Sequence, residues 1–173
     1  MGHPRRHRPQ DHHTPRHPHR RHRRRTLLVH PRLGPRLDQG LHRRHHNPLY
    51  AANSADGCPS TTDGACSNGW TLKDVHLAAG GNQPTVAVIP QIYRTDGIQA
   101  RQWANISHWG HTNTGDPLRF AAAMSQNTAC EQRTCNNTDN TPQQAWTQLK
   151  DSLDTRAHTR VATLGPATDM RWP

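Results

Sequence analysis

The run Thr85-Val86-Ala87-Val88-Ile89-Pro90-Gln91-Ile92-Tyr93 decides the fold of this chain. It is short, apolar and rich in β-branched residues, with no helical period, which is how a strand buried in a sheet reads. Immediately downstream, Asp96 is placed to cap a helix over about residues 97–109. Ile98, Gln102, Ile106 and Trp109 fall along one stripe of it, and Gly110 is the expected stop. A second strand is expected over about residues 118–126, containing Phe120, Ala122 and Met124. A Cys-bounded loop follows it. Thr141, Pro142 and Gln144 then spell a helix start: a hydroxyl at the cap, Pro at the first helical position, Gln three residues after the cap. Ala145, Trp146, Leu149 and Leu153 supply the buried face of that helix, and residues 161–172 have room for a last short strand. Upstream, Thr71 and Asp74 have the spacing of a capping box, and Gly80-Gly81 would end the helix; the alternation over 75–78 suits a strand almost as well.

Strand, helix, strand, helix and a final strand, joined by short connections, is the order of parallel βα units. The expected fold class is therefore α/β: a partial (β/α) barrel-like segment over residues 48–173. Roughly 125 residues is about half of a ~250-residue (β/α)8 barrel, so its strand and helix faces need neighbours that this stretch does not supply.

Residues 1–47 are of a different kind. The first 46 hold 13 Arg and 11 His, with only Asp11 and Asp38 to oppose them, and no Lys, Phe, Tyr or Trp. The formal charge of +10 over 173 residues thus comes from this leader, and the remainder is close to neutral. Its few Leu and Val residues cannot bury enough apolar surface to offset chain entropy, and six prolines interrupt any long helix. A disordered Arg/His/Pro-rich leader is expected. No apolar run has the length of a signal-peptide core or of a membrane span, so no membrane span is expected.

Cys58 and Cys66 form one local pair and Cys130 and Cys135 another, all within Asp, Gly, Ser, Asn and Thr-rich loops. An even count in such loops suggests two disulfides and an extracellular, oxidising location, despite the lack of a signal segment. A four-thiolate zinc site is the weaker alternative, because Cys-x7-Cys and Cys-x4-Cys are not knuckle spacings.

Several short stretches carry a resemblance. Ile89-Pro90-Gln91-Ile92-Tyr93, Ala100-Arg101-Gln102-Trp103, Ser125-Gln126 with Cys130, Thr138-Asp139-Asn140-Thr141-Pro142 with Trp146 and Leu149, and Thr168-Asp169-Met170-Arg171-Trp172 occur in that order. From about Cys58 to Trp172 the chain resembles the C-terminal part of uncharacterised secreted proteins of high-GC bacteria that are similar to glycoside hydrolases of the (β/α)8 type. The resemblance implies a carbohydrate partner and an extracellular setting. It does not extend to the leader. Arg, His and Pro are what GC-rich DNA yields in a wrong frame, so residues 1–47 are expected to be a frameshift or mis-start product.

Glycoside hydrolysis needs two facing carboxyl groups. Only one of 12 acidic residues is Glu, namely Glu131, beside Cys130. Asp169, near an expected strand end, and Asp139, before a helix start, are the catalytic candidates; the plainer reading of both is a cap or turn residue. Tyr93, Gln91 and Gln126 follow the two strands and are candidate sugar contacts, against a plainer role for Tyr93 in the core. Trp70, in a loop, is the candidate stacking platform, whereas Trp103 and Trp146 are expected to pack. His76, His108, His111 and His158 lie on polar segments and are expected to be solvated; no Gly-x-Ser-x-Gly elbow accompanies them. Asn105-Ile106-Ser107 and Asn136-Asn137-Thr138 fit the glycosylation pattern. No cofactor and no metal site is read in the chain.

The first functional expectation is a fragment of a secreted carbohydrate-active protein, inactive alone. A second is a basic arm binding nucleic acid through phosphates, although charge without pattern makes such binding by residues 1–47 adventitious. A third is a disulfide-stapled, non-catalytic carbohydrate-binding or interaction protein.

Overall fold

A computed structural model describes residues 48–55 and 57–173. The leader, with the expectations of disorder and of nucleic-acid binding attached to it, lies outside the described residues.

The chain is mixed α/β. Strand β1 (Leu49–Asn53) leads through a disulfide-bearing loop to helix α1 (Leu72–Ala78). Strand β2 (Val86–Pro90), helix α2 (Ile98–Thr114), strand β3 (Met124–Ser125), helix α3 (Asn127–Arg133), helix α4 (Pro142–Asp154) and strand β4 (Thr168–Asp169) follow. β1 pairs with β2, and β3 with β4, each in parallel. Bridges Val88↔Phe120 and Gln91↔Met124, both parallel, join the two pairs. Between those bridges β2 advances three residues and the facing segment four, which is the count of a bulge. The resulting spatial order is β1, β2, β3, β4, the same as along the chain.

Alternation along the strands separates two faces. Val88 and Ile92 are wholly buried and belong to a core with Leu72, Val75, Trp103, Ile106, Leu149 and Leu153 from the helices. Ala87, Ile89, Gln91 and Tyr93, on the other face, are only half-buried, and Tyr50, paired with Ala87, is 59% exposed. Helices α1 and α4 each pack on α2, so one face of the strands is covered. Trp103 meets Phe120 edge to face at 6.4 Å, tying α2 to the segment before β3.

The helix starts follow local chemistry. Thr71 with Asp74, and Thr141 with Gln144, form complete capping boxes, and Pro142 stands at the first position of α4. The helical reading of 72–78 therefore holds over the strand. At α2 the cap position is Gly97, with φ 71°, rather than the expected Asp96, which stands one residue earlier and accepts from the N–H of Ile98 at 3.0 Å.

Five expectations need correction. The second strand, expected over about residues 118–126, is strand only at Met124–Ser125, with a single further bridge at Phe120, because the facing segment carries one more residue than β2 between the two bridges. α2 runs through Gly110 to Thr114 and ends at Gly115, whose φ of 74° suits glycine. Gly110 lies inside the helix as a close-packing residue: a side chain there would strike the ring of His76 and the carbonyl of Asp116. The apolar stripe on α2 is too narrow: Gln99, Ala100, Gln102, Trp103, Ala104, Asn105, Ile106 and Ser107 are all buried, since the helix is flanked by α1, α4 and the first disulfide loop. The loop after β3 contains a short helix, α3, which begins on the carboxylate of Asp169, a partner distant in sequence. The final segment is strand only at Thr168–Asp169.

Both expected disulfides are present, Cys58–Cys66 and Cys130–Cys135, with no free thiol. Among the described residues no helix is long and apolar enough to cross a membrane.

Candidate functional site

In parallel α/β sheets, ligands meet the carboxyl ends of the strands. Here those ends are Asn53, Gln91 to Tyr93, Ser125 to Gln126 and Asp169.

Register sorts these residues. Gln91 pairs with Met124, and Met124 with Thr168, so the three form one row on the more open face. Tyr93 is two residues beyond Gln91 and shares that face; its hydroxyl donates to Met124 Sδ at 3.7 Å. Ser125 and Asp169 pair on the opposite face.

The turn after β2 is held by two buried amides. Gln99 Oε1 accepts from the backbone N–H of Tyr93 at 2.6 Å and of Arg94 at 2.9 Å. Asn140, wholly buried, places Nδ2 within bonding distance of the carbonyls of Ile92 (3.2 Å) and Arg94 (2.8 Å) and of Gln148 Oε1 (2.8 Å). Its backbone N–H also donates to the carbonyl of Tyr93 at 3.1 Å. Sequence reasoning missed both as positioning residues. Their only local signal is a polar residue beside a helix start, and polar residues there are ordinarily exposed.

Asp169 is engaged in structure. Its carboxylate accepts from Ser125 Oγ, from the N–H groups of Asn127 (2.7 Å) and Thr128 (3.0 Å), and from Thr128 Oγ1 (2.6 Å). It thereby satisfies the first free N–H groups of α3. Partial burial acts to raise its pKa, but the hydrogen bonds from Ser125, Thr128 and Asn127 outweigh it and hold the group below the usual carboxylate range.

Asp139 is exposed. It lies with Glu131, Asn127, Thr134 and both half-cystines of Cys130–Cys135 around a shallow hollow of about 320 Å³. Gln126 donates through Nε2 to the carbonyl of Thr138 at 2.9 Å, so it anchors the disulfide loop. Trp70 is half-buried against the core, in the loop pinned by Cys58–Cys66. That loop docks on α2, where Gln102 Nε2 reaches the carbonyl of Cys58 at 2.7 Å and Asn105 Nδ2 those of Pro59 and Thr62. The structure thus brings Tyr93 and Gln91 to one row and leaves Trp70 in another part of the fold. Asn105, 3% exposed and bonded through its amide nitrogen, offers no free amide for glycosylation.

Of the histidines, His76 departs from expectation, whereas His111 is exposed and His108 and His158 are half-buried. His76 is wholly buried, with Nε2 2.8 Å from the carbonyl of Asp116 and its ring 5.7 Å from that of Trp109. It fills a space that side chains at Gly81 or Gly110 would occupy. Burial lowers its pKa, outweighing the opposite pull of Asp116. His108, His111 and His158 gather at one surface spot.

Comparison with protein-family models, with curated proteins and with solved structures finds no match. The class that the fold defines is a parallel-stranded, mixed α/β chain carrying two short-range disulfides.

Proposed function

We propose that residues 48–173 are one part of a secreted, carbohydrate-active protein of the (β/α)8-barrel type, and that this chain alone binds sugar without hydrolysing it. One observation carries the reading: Gln91 and Tyr93 stand at the carboxyl end of β2 on the face that the helices leave open. In barrels that face is the interior and that end is the ligand side. A half-buried tyrosine offers a flat apolar ring with a polar tip, and Gln91 offers an amide for hydroxyl groups. The spatial strand order and the two disulfides agree with a barrel segment working in an oxidising compartment.

Absence of hydrolysis follows from the carboxylates. A glycosidase pair must face one sugar from two sides, about 5–9.5 Å apart. Asp169 is spent on α3 and sits on the other face from Gln91, and Asp139 lies with Glu131 by the disulfide loop. A competent pair requires carboxylates from the remaining barrel units.

The test is affinity electrophoresis of the full chain through gels containing a panel of soluble polysaccharides. Retardation by at least one glycan, lost in Tyr93→Ala and weakened in Gln91→Ala, is expected, with no reducing sugar released. Retardation that survives both substitutions, or none on any glycan, sinks the proposal. Loss on Trp70→Ala alone would instead favour a non-catalytic module that binds through its first disulfide loop.

A further inference from the structure

His108 lies on the second half of α2, and His158 lies in the turn that follows α4. Their nitrogens Nδ1 and Nε2 approach to 2.7 Å, with ring centroids 4.9 Å apart and planes tilted by 32°. His111, one turn along α2 from His108, stacks on His158 with centroids 4.2 Å apart and planes within 13°. Thr112 Oγ1 is 3.4 Å from His108 Nδ1. Three of the four histidines outside the leader therefore meet at one place on the surface.

We propose that His108 and His158 chelate a late first-row divalent cation, Cu(II) or Ni(II), with water in its remaining positions. The bite is the argument. Two imidazole nitrogens about 2.0–2.1 Å from one metal, in adjacent positions of a square or octahedral site, stand about 2.9 Å apart. A tetrahedral zinc centre would spread them to about 3.3 Å. The observed 2.7 Å, an N–H···N contact, shows both nitrogens close enough to share one metal of either geometry, so the choice of metal rests on the affinity order. Neutral imidazole suits these metals, and Cu(II) leads the divalent affinity order.

Both residues are half-buried, so a metal reaches them from solvent. An N–H···N contact of this length needs a neutral ring as its acceptor, and neutral imidazole is the form that ligates. The proton in the N–H···N contact moves to the far nitrogen of its own ring: His108 then carries it on Nε2, and His158 carries its own on Nδ1. No electron changes hands. Among the described residues no three His, Cys, Asp or Glu side chains converge on one metal position, so the site is an open two-imidazole clip, with His111 as a flat wall on one side. A bound ion would tie α2 to the turn after α4.

The leader's 11 histidines compete for metal, so the readout must be residue-resolved. The experiment is an NMR titration of the ¹⁵N-labelled full chain with copper(II)–iminodiacetate, which offers open adjacent positions. Amides of residues 105–112 and 156–159 should broaden at substoichiometric copper. In His158→Gln and in His108→Gln that broadening should need about tenfold more copper, while broadening within the leader is unchanged. His111→Gln should keep the broadening. Equal broadening in both chelate variants, or broadening confined to the leader in the parent chain, overturns the proposal. Dispersed spectra establish that each variant is folded, and either variant suffices if the other is not.

Discussion

Asn140 and Ile92 are joined by a buried hydrogen bond, 3.2 Å from the amide of one to the carbonyl of the other. Through it the start of α4 holds the carboxyl end of β2, and with it the turn that carries Tyr93. Removing the amide leaves carbonyls of Ile92 and Arg94 without this donor in a largely dry place. Asn140→Ala should cost about 1–3 kcal/mol of stability by urea denaturation. Because the turn loosens, glycan retardation should fall as well. A variant as stable as the parent would show that the amide does not hold the turn.

Leu149 is wholly buried in the face of α4 that meets α2. Leu149→Ala should therefore cost about 2–5 kcal/mol, the range for emptying a packed core site. The shift of the urea midpoint at constant slope measures it. A change under 0.5 kcal/mol would mean that α4 does not pack as described.

His76 predicts a pH dependence. Its pKa in the folded chain is lowered, mainly by burial, so the unfolded chain takes up a proton that the folded chain resists. The stability from a neutral His76 is present above the unfolded value near 6.5 and declines as pH falls below it. His108 and His158 are also lowered and add in the same direction, though they lie nearer solvent. Stability should thus drop between about pH 7 and pH 5. His76→Gln should be less stable at pH 7 and show a shallower drop. An unchanged slope would assign the effect to the surface pair.

Gly110 and Gly81 both border that ring. Gly110→Ala places a methyl group against His76 and the carbonyl of Asp116, neither of which has room to retreat. A loss of about 1–3 kcal/mol is expected, although alanine is the better helix former. Thermal denaturation of Gly110→Ala beside Gly115→Ala separates crowding from backbone strain, because a side chain at Gly115 would meet no neighbour.

The two disulfides close short loops, with half-cystines 8 and 5 residues apart. Chain-entropy arguments give about 2–3 kcal/mol for loops of this size. Cys58→Ala with Cys66→Ala should loosen the loop that Gln102 and Asn105 grip, and raise proteolysis there. Non-reducing peptide mapping that found the pairs scrambled, or the thiols free in the native protein, would remove the argument for an oxidising compartment.

The elements most legible in the sequence are those whose signals are local. Thr141-Pro142 with Gln144, and Thr71 with Asp74, satisfy helix-end N–H groups within four residues, so they read correctly without a fold around them. The run 86–92 likewise announced a strand through its own composition, and the cysteine pairs were near neighbours. What failed to read was long-range. Helix α3 starts on Asp169, about forty residues away, and the ring that leaves no room for a side chain at Gly110 is that of His76 on another element.

From its residues alone this chain determined a charged leader, two neighbouring cysteine pairs and alternating strand and helix segments, because composition, caps and periodicity act between residues close in sequence. Only the tertiary structure decided which strand lies beside which, that Asp169 faces a helix while Gln91 and Tyr93 share the open row, and that His108 meets His158. Those outcomes depend on register and on packing between distant segments, where moving a strand by one residue exchanges its two faces.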